Sequence, residues 1–299
     1  MNMNSPLRQF VLLLLSAAVV SGCANLLGLN GPIRIMSSLP FKSSAPTSAR
    51  AIDNGIQYAL AEHGATSGKF TILYEAFDNA NGAPTSDWWQ EFSNAFRGVA
   101  NKSVVAYIGV PGSYATHSTI SILDEGGPLA MVSPVNSYTG FTKAYEIDEP
   151  AKYFPVGRPN FARVIPPADK FAAQSAKWIQ AQNAKTVAIL RDEEWDSRAL
   201  GRAFENEAKN LGLTIVASAS YSPTLTGRNA VIAGVAATNA DVIFLAADES
   251  SDVGTVVKSL RAGGWKGTLL TVSNLATKSF VAGAGADGTM IVLAGMSPE

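Results

Sequence analysis

Few residues of this chain are of a type that does chemistry, and their spacing argues against catalysis. There are two histidines in 299 residues. His63 stands in the last turn of an expected helix, just before Gly64, where an imidazole simply complements exposed carbonyls. His117 follows Ser113 by one turn, which places a hydroxyl and a base together. A nucleophilic pair also needs an orienting third group and an oxyanion site, and the Gly-x-Ser-x-Gly elbow is absent around Ser113, so His117 is left with pocket lining or no role. Gly283, Gly285 and Gly288 match Gly-x-Gly-x-x-Gly but follow a helix and precede a strand, the reverse of the dinucleotide arrangement. Gly264-Trp265-Lys266-Gly267-Thr268 cannot wrap a phosphate and reads as a surface turn. With so few histidines and a single cysteine, neither a metal nor another cofactor is expected, and the protein is not expected to be an enzyme.

The elements that must position any site alternate in a regular way. Short β-rich runs are expected at 33–36, 70–74, 104–110 and 129–132, with amphipathic helices at 51–63, 88–99 and 115–123 between them. A long irregular loop, 135–159, separates this block from a second with the same grammar. That block has a strand at 161–164, a break at Pro166-Pro167, and strands at 186–190, 214–219, 242–245, 269–272 and 290–293. Helices are expected at 170–182, 197–211, 229–237, 251–262 and 277–281. Trp88-Trp89 opens its helix as a core anchor with one ring half exposed, contact with cell-wall sugars being the alternative. The expected fold is α/β, two Rossmann-like lobes, the first over 32–163 and the second over 164–292.

Composition fits two globular cores, with 47% hydrophobic and 16% charged residues and a formal net charge of −1. Lysines and arginines are scattered singly, so no nucleic-acid partner is expected. At the amino end Arg8 precedes an apolar run from Phe10 to Val20, about 11 residues, too short to span a bilayer, and small residues follow at once, as in a secretion signal. Val20-Ser21-Gly22-Cys23 resembles the lipobox of bacterial lipoproteins, which implies that 1–23 is a lipoprotein signal with its lipobox, that the chain is cut before Cys23 and that thiol is lipidated, with a short tether over 24–31. An ordinary signal peptide with a chance cysteine is the plainer alternative. As the only cysteine, Cys23 can form no internal disulfide in an oxidising space.

The chain resembles the type I periplasmic solute-binding proteins of ABC transporters, in the branched-chain amino acid, leucine-binding protein-like class. The resemblance rests on Ser37-Ser38-Leu39-Pro40, Ile52-Asp53-Asn54-Gly55-Ile56 and Val105-Ala106-Tyr107-Ile108-Gly109. It rests further on Ser133-Pro134-Val135-Asn136-Ser137, Phe161-Ala162-Arg163-Val164 with Pro166, and Val187-Ala188-Ile189-Leu190 leading into Asp192. It implies a Venus-flytrap that captures a small polar ligand, an amino acid or related amide, and delivers it to an ABC permease in the membrane. A sensory or assembly lipoprotein that uses the same clamp on a membrane or cell-wall partner is the alternative. Under this resemblance the chain is expected to cross back into the first lobe, so 293–299 reads as the start of a return whose remainder is missing.

The resemblance also implies the ligand contacts. A ligand carboxylate would meet Ser113, which otherwise serves as a plain helix cap, with Val135, Asn136 and Ser137. Trp195 stands where relatives carry a tyrosine. The acid that would hold an α-ammonium falls near Ser273 or Asn274, neither of them charged, with Asp248 and Glu249 as substitutes. That departure keeps amides and ureas open beside leucine-like ligands.

Overall fold

The computed structural model describes residues 31–43, 46–82, 87–222, 227–248, 252–282 and 286–294. The signal, Cys23, most of the tether, Glu249, Gly283, Gly285 and the last five residues lie outside the described residues. Two compact units emerge, one made of residues up to Pro134 with Tyr153–Ala162, the other of Val135–Lys152 with Arg163 onward.

The first unit carries strands β1 (Ile33–Leu39), β2 (Thr66–Ser67), β3 (Phe70–Asp78), β4 (Val104–Ile108) and β5 (Ala130–Ser133), with β6 (Phe161–Arg163) at the boundary. Helices α1 (Thr47–Glu62), α2 (Trp88–Ala100) and α3 (Ser113–Glu125) connect them. The sheet order is β2-β3-β1-β4-β5-β6. β1 runs parallel to β3 and β4, β4 runs parallel to β5, and the two-residue β2 pairs antiparallel with β3. The chain leaves β1 toward β3 and returns across it to β4, so the loops after β1 and β4 diverge and leave a crevice at their carboxyl ends.

The second unit holds β7 (Thr186–Asp192), β8 (Thr214–Tyr221), β9 (Val242–Ala246), β10 (Thr268–Val272) and β11 (Met290–Val292), in the order β11-β10-β9-β7-β8, with parallel pairing throughout. Its helices are α4 (Ala168–Ala181), α5 (Trp195–Asn210), α6 (Arg228–Ala237), α7 (Val253–Ala262) and the short α8 (Lys278–Val281). The order reverses between β7 and β9, which makes that the second divergence point. β9 is buried at every position because α4 and α5 close one face of the sheet and α6 and α7 the other.

Several expectations need correction. β1, β3, β7 and β8 run past their expected ends to Leu39, Asp78, Asp192 and Tyr221. Polar residues end an apolar periodicity, yet here they pair across strands: the Ser37 and Tyr74 hydroxyls meet at 2.6 Å. Segment 135–152, expected in the first lobe, packs with the second unit. Tyr138 lies against Trp195 at 4.0 Å between ring centroids, Lys143 pairs with Asp169 at 2.6 Å, and Glu146 with Arg202 at 3.0 Å. The Gly264–Thr268 stretch is no mere surface turn, since Trp265 is buried and its indole N–H donates to the Ala240 carbonyl at 2.7 Å. A Cβ at Gly267 would stand 2.6 Å from the Ala240 and Asp241 carbonyl oxygens, so only glycine fits.

Candidate functional site

In the first unit the crevice edge is built from the ends of β1 and β4 and the start of α3. Gly109 lets the two strand ends close up, because a Cβ there would stand 2.6 Å from the Ser38 carbonyl oxygen. Gly112, with φ 121°, caps α3, and Ser113 is its first residue, buried at 1% exposure. The cap is therefore glycine and not Ser113. The Thr116 hydroxyl donates to the Gly112 carbonyl at 2.8 Å and fixes the turn. The amino end of a three-turn helix exposes N–H groups with partial positive charge, which suits a carboxylate.

Beneath this edge lies a buried carboxylate that sequence reasoning missed. Glu91 of α2 accepts hydrogen bonds from Ser38 of β1, from Tyr107 of β4 at 2.7 Å, from Thr119 of α3 at 3.1 Å and from the Asn79 amide at 3.0 Å. Asn94, one turn on, donates to Ser38 Oγ at 3.0 Å and to the Asp78 carbonyl at 2.9 Å. Burial pushes the Glu91 carboxyl above its ordinary value, and the hydroxyl and amide donors oppose that shift. One side chain thus ties together the strand end, the next strand and the helix that carries Ser113.

In the second unit the divergence point is acidic. Asp192 closes β7, is fully buried, and accepts from the backbone N–H groups of Glu194 at 3.0 Å and of Asp248 at 2.7 Å. Asp248 itself is exposed. Tyr221, at the end of β8, is 1% exposed, and its hydroxyl has no hydrogen-bond partner among the described residues. Burial raises its pKa, and the field of Asp192, Asp252 and Asp248 adds to this against the opposing pull of Arg228. Asp252, the residue before α7, reaches Arg228 at 3.5 Å. Burial, together with Asp192 and Asp248, also raises the Glu194 carboxyl. The field at the Tyr221 hydroxyl is thus set by Asp192, Asp248 and Asp252 against Arg228.

Of the expected contacts, Trp195 is the first residue of α5 and half-buried, tilted 33° against Tyr138 and 6.1 Å from Phe141. Tyr138 is held in turn by Glu149, which accepts its hydroxyl at 2.8 Å and pairs with Lys152 at 3.0 Å. Arg163 anchors the preceding segment, donating to the Asn136 carbonyl at 3.3 Å and the Tyr138 carbonyl at 2.7 Å, and burial lowers its pKa to about 10. Asn136 is buried, Val135 exposed, and the Ser137 carbonyl accepts the Ala168 N–H at 2.7 Å. Ser273 is half-buried at the end of β10, and the neighbouring Asn274 amide donates to the Ala247 carbonyl at 2.6 Å. The structure therefore brings Asp248, Ser273 and the Trp195 helix to the carboxyl end of one sheet, whereas Ser113 belongs to the other unit.

Asp252, Tyr221 and Arg228 were missed, although Asp252 stands directly before an apolar helical run. His117 is exposed and meets the Tyr153 ring edge-on at 5.8 Å. Trp88 and Trp89 do not anchor the core: both are exposed, at 40% and 66%, and stack on each other at 3.9 Å. Among the described residues no three His, Cys, Asp or Glu side chains are grouped to hold a metal ion.

Known proteins resemble this arrangement. Among solved structures, an ABC transporter substrate-binding protein from Desulfitobacterium hafniense in complex with Leu is similar at 22% identity and a TM-score of 0.64, over 81% of this chain and 67% of that one. A leucine binding protein from Thermotoga maritima MSB8 is 19% identical with a TM-score of 0.69, over 87% and 69%. A solute binding protein of an ABC transporter from R. palustris, in complex with 4-hydroxybenzoate, is 18% identical with a TM-score of 0.69, over 86% and 66%. Curated proteins give no match. The sequence profile of the periplasmic binding proteins matches residues 32–298, and with that match the chain belongs to the periplasmic binding protein family, whose members bind solutes outside the cytoplasm and are not enzymes.

Proposed function

We propose that this chain is a lipid-anchored solute-binding protein that captures an amino acid or related small amide and delivers it to an ABC permease. In this reading residues 1–23 are the signal with its lipobox, cleavage falls before Cys23, Cys23 carries the lipid and 24–31 form the tether. The observation that carries the ligand class is the acidic carboxyl end of the second sheet. There Asp192, Asp248 and Asp252 act electrostatically on the Tyr221 hydroxyl, which has no hydrogen-bond partner among the described residues, and they suit an α-ammonium or amide group. The glycine-capped start of α3 in the first unit suits the carboxylate, with Ser113 as its hydroxyl. Val135, Asn136, Ser137, Trp195 and Ser273 complete the proposed contacts, Trp195 as the aromatic wall. Two similar structures speak for the class: one is titled as a complex with Leu and another as a leucine binding protein.

Ligand binding is read as a rise in thermal stability, since a ligand at 100 times its dissociation constant adds about 2.7 kcal/mol. Leucine, leucinamide and 4-hydroxybenzoate separate the two proposed contacts, because the amide lacks the carboxylate and the benzoate lacks the ammonium. A shift with leucine that is lost in Asp252→Asn supports the acidic end as the ammonium site. A shift with 4-hydroxybenzoate that survives that substitution moves the ligand class to aromatic acids. No shift with any amino acid, amide or urea from a folded chain overturns solute capture and favours the sensory or assembly role.

A further inference from the structure

Helix α2 is built inside out. Its inward face, at 91, 94, 95 and 98, is Glu91, Asn94, Ala95 and Gly98, all buried. The outward face carries Trp88, Trp89 and Phe96 at 40%, 66% and 59% exposure, with Phe92 half-buried beside the tryptophan stack at 5.3 and 6.2 Å. A monomeric surface helix ordinarily turns its rings the other way, and a contiguous exposed aromatic stripe marks a contact surface. Its charge is divided by position: the Asp87 carboxylate caps the N–H groups of Trp89 and Gln90 at the start of the helix, Glu91 is buried, and Arg97 and Lys102 are exposed at the far end.

That far end is also where the chain enters the fold. The Arg34 backbone N–H donates to the Ser103 carbonyl at 2.7 Å, and its guanidinium donates to Ser103 Oγ at 2.6 Å. Ser103 follows α2 by three residues, so β1 begins beside the Arg97–Lys102 end of the helix. Ten residues separate Cys23 from Arg34, about 35 Å when fully extended. The 13-residue α2 is about 20 Å long, so a lipid on Cys23 can hold the whole stripe at a bilayer.

We infer that the outward face of α2 is a membrane-docking surface: Trp88, Trp89 and Phe96 enter the interfacial layer, and Arg97 and Lys102 meet anionic headgroups. Tryptophan favours that layer because its ring is apolar and its N–H can stay wet, and basic residues near an anionic surface add attraction. The inference rests on the proposed anchor only for keeping the lobe close to the membrane.

The test uses the lipidated chain on phosphatidylcholine vesicles that contain phosphatidylglycerol and brominated acyl chains, which quench tryptophan on contact. Flotation reports the anchor, and quenching reports the face. Floating protein should lose tryptophan emission, the Trp89→Gln plus Phe96→Gln variant should float equally while losing the quenching, and high salt should weaken it. Floating protein that is unquenched, or quenched equally in the variant, overturns the docking surface while leaving the anchor standing. Protein that fails to float, and whose Cys23→Ser form is no less associated, refutes the anchor instead. In that case quenching of the soluble chain at high vesicle concentration still decides the surface. Protection of the two rings by purified permease in detergent, with no quenching on vesicles, overturns the lipid partner in favour of a protein one.

Discussion

In the second unit each face of the sheet is closed by apolar side chains, whereas in the first the helix pair over one face buries a carboxylate and turns its rings outward. Phe204 stacks on Phe244 at 3.9 Å and 11° between α5 and β9, and Ile232, Val256 and Leu260 close the other side. In the first unit Met36, Tyr107 and Met131 are buried toward α2 and α3 alongside Ser38, Glu91, Asn94 and Thr119. The other face, met by α1, keeps Ile33, Ile35, Ala106, Ile108 and Val132 only half-buried. Apolar contact is non-directional, while a hydrogen-bonded network needs its donors and acceptors in one geometry. The difference places directional contacts under Ser113 and close apolar packing under the acidic end of the second sheet.

The largest effect should come from breaking the apolar unit. Phe204→Ala removes a fully buried ring stacked on Phe244 and should cost about 3–5 kcal/mol, measured by denaturant unfolding. Trp178, Trp195 and Trp265 report on this unit, and Trp88 and Trp89 on the other. A loss confined to the first group of tryptophans would show that the two units unfold separately.

The network is tested by charge. Glu91→Leu strands the Ser38, Tyr107 and Thr119 hydroxyls and the Asn79 amide, a loss of about 3 kcal/mol. Glu91→Gln isolates the titration. The Glu91 pKa is raised in the fold above its ordinary 4.5, so as pH rises through that window the unfolded chain gives up its proton first. The native state then holds more protons, and stability falls with rising pH until the folded pKa is passed. The difference in unfolding free energy between the natural chain and Glu91→Gln should follow that slope. A difference that is flat with pH above 4.5 would mean the carboxyl is not raised.

How much of this was legible follows from which force placed each element. β9 could be read because Val242–Ala246 is an unbroken apolar run buried on both faces. The alternation of strands and helices gave the α/β fold, with most element boundaries displaced by one to four residues. α2 was legible as a helix but not in its orientation: periodicity finds a stripe, and hydrophobicity picks which stripe faces in. Here Glu91 and Asn94 are drawn inward by partners 12 to 56 residues away along the chain. Trp195 was singled out, but its contact with Tyr138 across 57 positions was not, and that contact is what carries 135–152 into the second unit. Asp252 was passed over because the likeness pointed to the end of β10, whereas this aspartate stands directly before α7.

The smallest effects sharpen the comparison from the outside. Trp89→Gln forfeits its stacking on Trp88, worth about 1 kcal/mol. Phe96→Gln, at 59% exposure, should change stability by no more than about 0.5 kcal/mol. Glutamine keeps the helix propensity of both positions, so neither number is confounded by the backbone. A ring this exposed has little water left to release on folding, and its removal also relieves the unfolded chain of apolar surface. If Phe96→Gln instead lowered the melting temperature as much as a core truncation, the ring would have to be packed in the free protein and the inside-out character of α2 would fail. If the two substitutions leave stability nearly unchanged, folding does not account for the aromatic rings at these positions, and what the outward face of α2 touches must.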